Sequence, residues 1–374
     1  MTTPLDGLAV VEFGHYIAAP AATQMLADLG AEVTKIEPPS GDQARSIGAY
    51  GEGMVAAFNR GKRSIALDLS APADHALALA LIDRADVVVQ NLRAGVLERF
   101  GLGPDAMRHR RPALVYVSIT AFPTGSAFAD RSGLDIVAQA ESGMMSINGQ
   151  AGGEPLRVGF PVADVAASYA VVQAVLAALV RRERTGVGGT AHVSLVEAAV
   201  HTQSALWGEW ATSGDEPLRK GNGQATAAPA ADVVETADGQ IVVSAYTTEH
   251  FGRLCRLLDK PWMADDPRFA DNPSRVEHRD ALLAEIGDVL GSRTTADCVD
   301  WLSRHGIVVA AIRRYSDVLE ATDIFGGALT TGIDEHGRRF TVPALPFALD
   351  GVAPEPDRKV PVLGEHETVV RGEP

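Results

Sequence analysis

One carboxylate, Asp164, stands at the mouth of a long apolar segment. Phe160, Pro161, Val162 and Ala163 lead to it, and from Val165 to Arg182 the chain is mostly Ala, Val and Leu, with Ser168, Tyr169 and Gln173 interleaved. Arg181, Arg182, Glu183 and Arg184 close the run, which predicts a buried helix with a basic C-terminal turn. An Asp at such a start can cap the helix, and the free N–H groups and positive dipole end would keep its carboxylate ionised at neutral pH. An ionised, partly dehydrated carboxylate can also attack a thioester or an anhydride. On spacing alone both roles are open to Asp164.

The N-terminal third supplies the elements that would position it. Leu8 to Phe13 is a mostly apolar run leading past Gly14 and Pro20 into Ala21 to Leu29, a helical spacing stopped at Gly30, and Glu32 to Ile36 reads as a second strand. Ile65 to Leu67, Val87 to Val89 and Leu114 to Ile119 are further β-rich runs separated by helical stretches, Ala73 to Arg84 among them. This alternation predicts an α/β fold, with a Rossmann-like parallel sheet covered by helices and ligands beyond the C-terminal strand ends.

Several chemistries are excluded at those strand ends. The turn from Gly14 to Pro20 carries one glycine and the bulky His15 and Tyr16 instead of G-x-G-x-x-G, so a dinucleotide pyrophosphate has no close approach. Glu37 sits where a ribose-binding acid would, and reads as a solvated residue at a strand end. Gly101 to Gly103 follows a helical stretch and reads as a turn, with Pro104 opening another helix. The chain holds no G-x-S-x-G elbow and no H-E-x-x-H, and Cys255 and Cys298 are far apart and read as packing residues, so no metal site is expected. Among basic clusters, Asn59 to Arg63 could meet phosphates and Arg108 to Arg111 reads as a solvated helix face. Arg93 and Arg99, just past a strand end, are the better anion ligands.

With 374 residues, 46% hydrophobic and 22% charged, the chain is globular and long enough for two lobes. A formal net charge of −15 and pI near 5.1 argue against nucleic acid and anionic membrane as partners. The apolar run near Ala166 reads as too short and too polar to span a bilayer, and Met1 to Gly14 has no leader pattern, so a cytoplasmic protein is expected. Thr190 to Leu195 and a helix through Trp207 close the first block, and Ser213 to Pro229 reads as a connector. Asp232 to Ser244 is a hairpin turning at Ala237 to Gln240, followed by helical patterns at Glu249 to Leu258, Arg279 to Leu290 and Thr295 to Arg304.

The segments Pro4 to Leu8, Leu26 to Glu37, Asn59 to Ile65 with Leu67 to Leu69, and Asp86 to Arg99 resemble those of the class III coenzyme A transferases. That family includes formyl-CoA transferase and carnitine CoA-transferase and shares its fold with α-methylacyl-CoA racemase. The likeness continues through Gly133 to Gly143, Asp164, Leu176 to Leu179, Arg184 to Gly186 and Leu363 to His366, in the family's order along nearly the whole chain. It implies transfer of CoA from an acyl-CoA donor to a carboxylic acid acceptor. Asp164 would be the nucleophile, passing through mixed anhydrides and an aspartyl-CoA thioester, with coenzyme A and acyl-CoA as substrates and no permanently bound cofactor.

The same resemblance implies CoA contacts from His15, Ile17 and Ala18, from Leu67, Asp68 and Leu69, from Asn91, Leu92, Arg93 and Arg99, and from Ser132, Gly133, Leu134 and Asp135. Asp135 would be either an acid beside the reacting centre or the N-cap of the helix from Ile136. Gly221, Asn222 and Gly223 match a glycine loop that in the family closes over the intermediate. Leu134 stands where racemases need a His, and leucine cannot move a proton, so epimerisation is disfavoured. A non-catalytic CoA-binding subunit is a third reading. The resemblance divides the chain into residues 1–205 of a large domain, a linker at 206–221, a small α+β domain at 222–306 and a return segment at 307–374. It also implies an interlocked homodimer, and it leaves open whether the short C-terminus ends in a helix.

Overall fold

The computed structural model describes residues 3–222, 231–351 and 359–372. It separates into two compact units, one of Met1–Met144, Arg157–Ser204 and Phe325–Pro374, the other of Met145–Leu156 and Ala205–Ile324.

The first unit is built on six parallel strands: β1 (Ala9–Phe13), β2 (Glu32–Glu37), β3 (Arg63–Ala66), β4 (Val87–Gln90), β5 (Val115–Thr120) and β6 (Gly189–Ser194). Their spatial order is β3-β2-β1-β4-β5-β6, the doubly wound arrangement whose order reverses between β1 and β4. The central strands are mostly apolar because helices cover both faces, with Glu12, Gln90 and Ser118 as buried exceptions. All four residues of β4 are buried. Each fully buried Val or Leu contributes about 1.5–3 kcal/mol. The helix Ala18–Asp28 ends at Gly30, whose φ of 103° is open to glycine and returns the chain into β2.

The long helix Val162–Thr185 has 24 residues, and by length and composition it could cross a membrane, against the expectation that the run was too short and too polar. Here it is a core element. Ala163, Ala167, Val171, Val175 and Leu179 repeat every four residues and pack into the same hydrophobic cluster as β1, β4 and β5. Its opposite side leaves Tyr169, Leu176 and Val180 exposed at 46%, 36% and 53%. The predicted solvated Glu37 is instead buried, bonded to Arg45 through both oxygens. Strands β10 (Leu329–Ile333) and β11 (Arg339–Pro343) pair antiparallel, and the chain does form a last helix, Glu367–Arg371.

The second unit carries the expected hairpin, β7 (Ala231–Glu235) with β8 (Gln240–Ser244), extended by β9 (Val308–Ala311) into a three-stranded antiparallel sheet. The helices Thr248–Leu257, Arg279–Leu290 and Thr295–Arg304 cover it, and both cysteines are fully buried in that core. This unit runs on to Ile324, past the 307 at which the return segment was expected, and helix Ser204–Ser213 occupies the start of the stretch read as a linker.

Candidate active site

A cavity of about 890 Å³ opens at the C-terminal ends of the parallel strands, over the reversal point between β1 and β4. It brings together most of the residues singled out in the sequence. His15, Ile17 and Ala18 line it after β1, Leu67, Asp68 and Leu69 after β3, and Asn91, Leu92 and Arg93 after β4. Ser132, Gly133 and Leu134 enter from the segment after β5, and Asp164 from the long helix. Arg99, Asp135, Gly221 and Asn222 are not lining residues. Arg99 ends the short helix Val96–Arg99 with its side chain exposed, and Gly221 accepts φ of 62° in the second unit, donating its N–H to Gly149 O. Gly223 lies outside the described residues.

The two acids do not stand as the sequence suggested. Asp164 is the third residue of the long helix, whose N-cap is Pro161, and its carboxylate accepts no hydrogen bond among the described residues. The capping carboxylate comes from Asp135. That residue does not cap its own helix, Asp135–Glu141, which has Leu134 at its N-cap. Its Oδ1 accepts instead from the N–H groups of Ala163 at 2.7 Å and Asp164 at 3.3 Å, and its Oδ2 from Gln139 Nε2 at 2.6 Å. Gln139 Oε1 in turn takes the N–H of Val158 at 2.8 Å.

The free donors at the helix start are thus spent on Asp135, and Asp164 gains little from them. Its burial first, and then the negative charge of Asp135, raise the Asp164 carboxyl to about 7. That corrects the expectation of a carboxylate held fully ionised. At neutral pH roughly half of it carries a proton.

The segment Gly14 to Ile17 is held from two sides. Asn91 Oδ1 accepts the N–H of His15 at 2.9 Å and its Nδ2 donates to His15 O at 2.9 Å, so a side-chain amide extends the β1–β4 pairing. Tyr16 has φ of 61°, a costly conformation for a non-glycine residue, and its N–H donates to Asp42 Oδ1 at 3.2 Å. Asp42 also receives Lys35 Nζ at 3.0 Å, and the same ammonium bonds Gly14 O at 2.7 Å and Glu12 Oε1 at 2.8 Å. Lys62 Nζ completes the group on Glu12 Oε2 at 2.7 Å, with Thr23 Oγ1 donating to that oxygen at 2.5 Å.

Burial alone would raise Glu12, but Lys35 and Lys62 outweigh it and hold the carboxyl at about 2. Burial pulls the Lys62 ammonium down to about 8. His15 is also pushed down by burial, which leaves its imidazole neutral at pH 7. Lys62 and Arg60, in a cluster that could have met phosphates, are instead buried ion-pair partners: Lys62 of Glu12 at 2.7 Å and Arg60 of Asp28 at 3.1 Å. The Glu12–Lys35 pair escaped sequence reading, yet a signal existed. Each interrupts a buried apolar strand, and the two are register partners across β1 and β2.

A strand-order reversal with one glycine in its first turn, beside a half-buried carboxylate without a hydrogen bond among the described residues, marks an α/β enzyme site that is not built for a dinucleotide. The profile described as CoA-transferase family III matches residues 5–367, and the chain belongs to that family. It is 35% identical to a probable fatty acyl-CoA transferase of Mycobacterium tuberculosis, over 99% of this chain and 98% of the other. It is 33% identical to a succinyl-CoA:mesaconate CoA-transferase of Haloarcula hispanica, over 97% of this chain and 94% of that protein. Among solved structures, a CAIB/BAIF family protein from Brucella suis superposes with a TM-score of 0.88 at 31% identity, covering 100% of this chain and 99% of that one.

Proposed function

We propose that this protein moves coenzyme A from an acyl-CoA to a carboxylic acid with Asp164 as the covalent carrier. The observation that carries the reading is the Asp164 carboxylate, without a hydrogen bond among the described residues, on the wall of the cavity at the strand ends. The ionised carboxylate attacks the thioester carbonyl and expels CoA thiolate, leaving a mixed anhydride. The thiolate attacks the Asp164 carbonyl, releases the donor acid and leaves an aspartyl-CoA thioester. The acceptor carboxylate displaces the thiolate to form a second anhydride, and the thiolate takes the acceptor's acyl group and frees Asp164. Each step exchanges one activated acyl group for another, so no energy source is needed, only shelter from water.

The CoA moiety lies across the strand ends, with Arg93 at the phosphates and Leu67 to Leu69, Leu92 and Ile17 along its chain. Leu134 gives no proton-transfer group for epimerisation. The exposed apolar side of the long helix supports a homodimer. The test is Asp164→Ala. We expect CoA exchange to fall by at least about 10⁴-fold, and hydroxylamine added to wild-type enzyme with acyl-CoA to modify the peptide holding residue 164. Exchange that persists in the variant sinks the covalent route.

A further inference from the structure

Two of the relatives are named for fatty acyl and for succinyl groups. The cavity wall that adjoins Asp164 distinguishes between them. Ile17 and Ala18 are 4% and 2% exposed at the entry of the first helix, Ile119 is 3% exposed at the end of β5, and Leu195 is 6% exposed after β6. Leu134, 62% exposed, stands directly before the residue that caps the Asp164 helix. Ala18, Ile119 and Leu195 belong to one hydrophobic cluster with Ala163, and all three line the cavity together with Ile17, Leu134 and Asp164.

The charge of the cavity has the wrong sign for a second carboxylate. Of the acids that line it, Glu37 is held by Arg45 and Asp42 by Lys35, which leaves Asp68 and Asp130 with Asp164; the arginines that line it are Arg93 and Arg131. Arg131 is engaged, with Nη1 on Glu141 at 2.6 Å and its guanidinium 5.2 Å from the Phe122 ring centre. Arg93 is exposed beyond β4 beside Leu92 and Ala94, where CoA phosphates need it. The charge that acts on Asp164 is another carboxylate, Asp135.

We propose that the acyl subsite takes apolar monocarboxylic acyl groups and discriminates against dicarboxylic ones, with Ile17 and Leu134 setting the choice. This rests on the transferase reading above. A terminal carboxylate set against Ile17 and Leu134 loses its hydration, gains no cation and faces two acids. A terminal methyl in the same place is transferred favourably from water.

The test measures CoA transfer by the full-length enzyme from butanoyl-CoA and from succinyl-CoA to hexanoate and to adipate, acids of equal length that differ in the terminal group. Hexanoate with butanoyl-CoA is expected to exceed adipate by about tenfold or more in kcat/KM. Adipate equal to or better than hexanoate overturns the proposal. Leu134→Arg, at an exposed position that spares the core, is expected to shift the ratio toward adipate by about fivefold or more. A ratio that does not move removes Leu134 from the subsite. If no donor–acceptor pair exchanges CoA and hydroxylamine leaves residue 164 unmodified, the transferase reading itself falls, which separates the two failures.

Discussion

Two carboxylates share one helix start, and the hydrogen bonds go to the one that does not line the cavity. Asp135 takes both backbone N–H groups while Asp164, one residue deeper, is left with burial and a like charge. On the proposed mechanism the ionised form attacks, so kcat/KM for CoA transfer should rise with pH and level off above about 7, the value to which Asp164 is raised. Asp135→Asn keeps an oxygen for Ala163 N–H but removes the charge, so the midpoint of that profile should move to lower pH; an unmoved midpoint denies the coupling. Stability gives an independent readout. The folded-state pKa lies above the ordinary 3.8, so between these values the folded chain holds more protons than the unfolded one, and the Asp164 contribution declines as pH rises toward about 7. Asp164→Asn should remove this decline from Tm measured across the same window.

The turn after β1 shows how an element is fixed by charges far from any chemistry. Lys35 and Glu12 sit in strands, Asp42 in a loop, and together they hold Gly14 O and the Tyr16 N–H where the cavity needs them. Glu12→Gln strands the buried Lys62 ammonium, leaves Lys35 with Asp42 as its remaining ion-pair partner, and should cost about 3–5 kcal/mol in chemical denaturation. In wild-type protein the Glu12 contribution is fully present above the ordinary 4.5 and is lost as pH falls toward about 2. Asp42→Asn should instead raise KM for acyl-CoA with little change in kcat, since it loosens the Tyr16 turn without touching Asp164. Equal loss in both parameters would assign Asp42 a different role. Close packing fixes the other edge: a Cβ at Gly188 would lie 2.2 Å from Leu114 O, so Gly188→Ala should part β6 from β5 and cost about 1–3 kcal/mol.

For the whole molecule, the long helix is half finished within one chain. Its Ala163-to-Leu179 stripe is buried, while Tyr169, Leu176 and Val180 face outward; in the second unit, helix Ser204–Ser213 buries no residue and exposes Trp207 and Trp210. A homodimer would cover such surfaces. Sedimentation should therefore give twice the chain mass, and Tyr169→Glu with Val180→Glu should shift it to the monomer. The amino-acid sequence by itself determined the parallel α/β sheet, the hairpin and the cavity's location at the strand ends, because periodicity, turn residues and motif order are local. Only the tertiary structure decided that Asp135 caps the helix of Asp164, that Lys62 and Arg60 are buried partners of Glu12 and Asp28, and that Glu37 is enclosed. Each depends on side chains brought from distant positions into one desolvated place, where the partner a charge finds sets its proton affinity and its role.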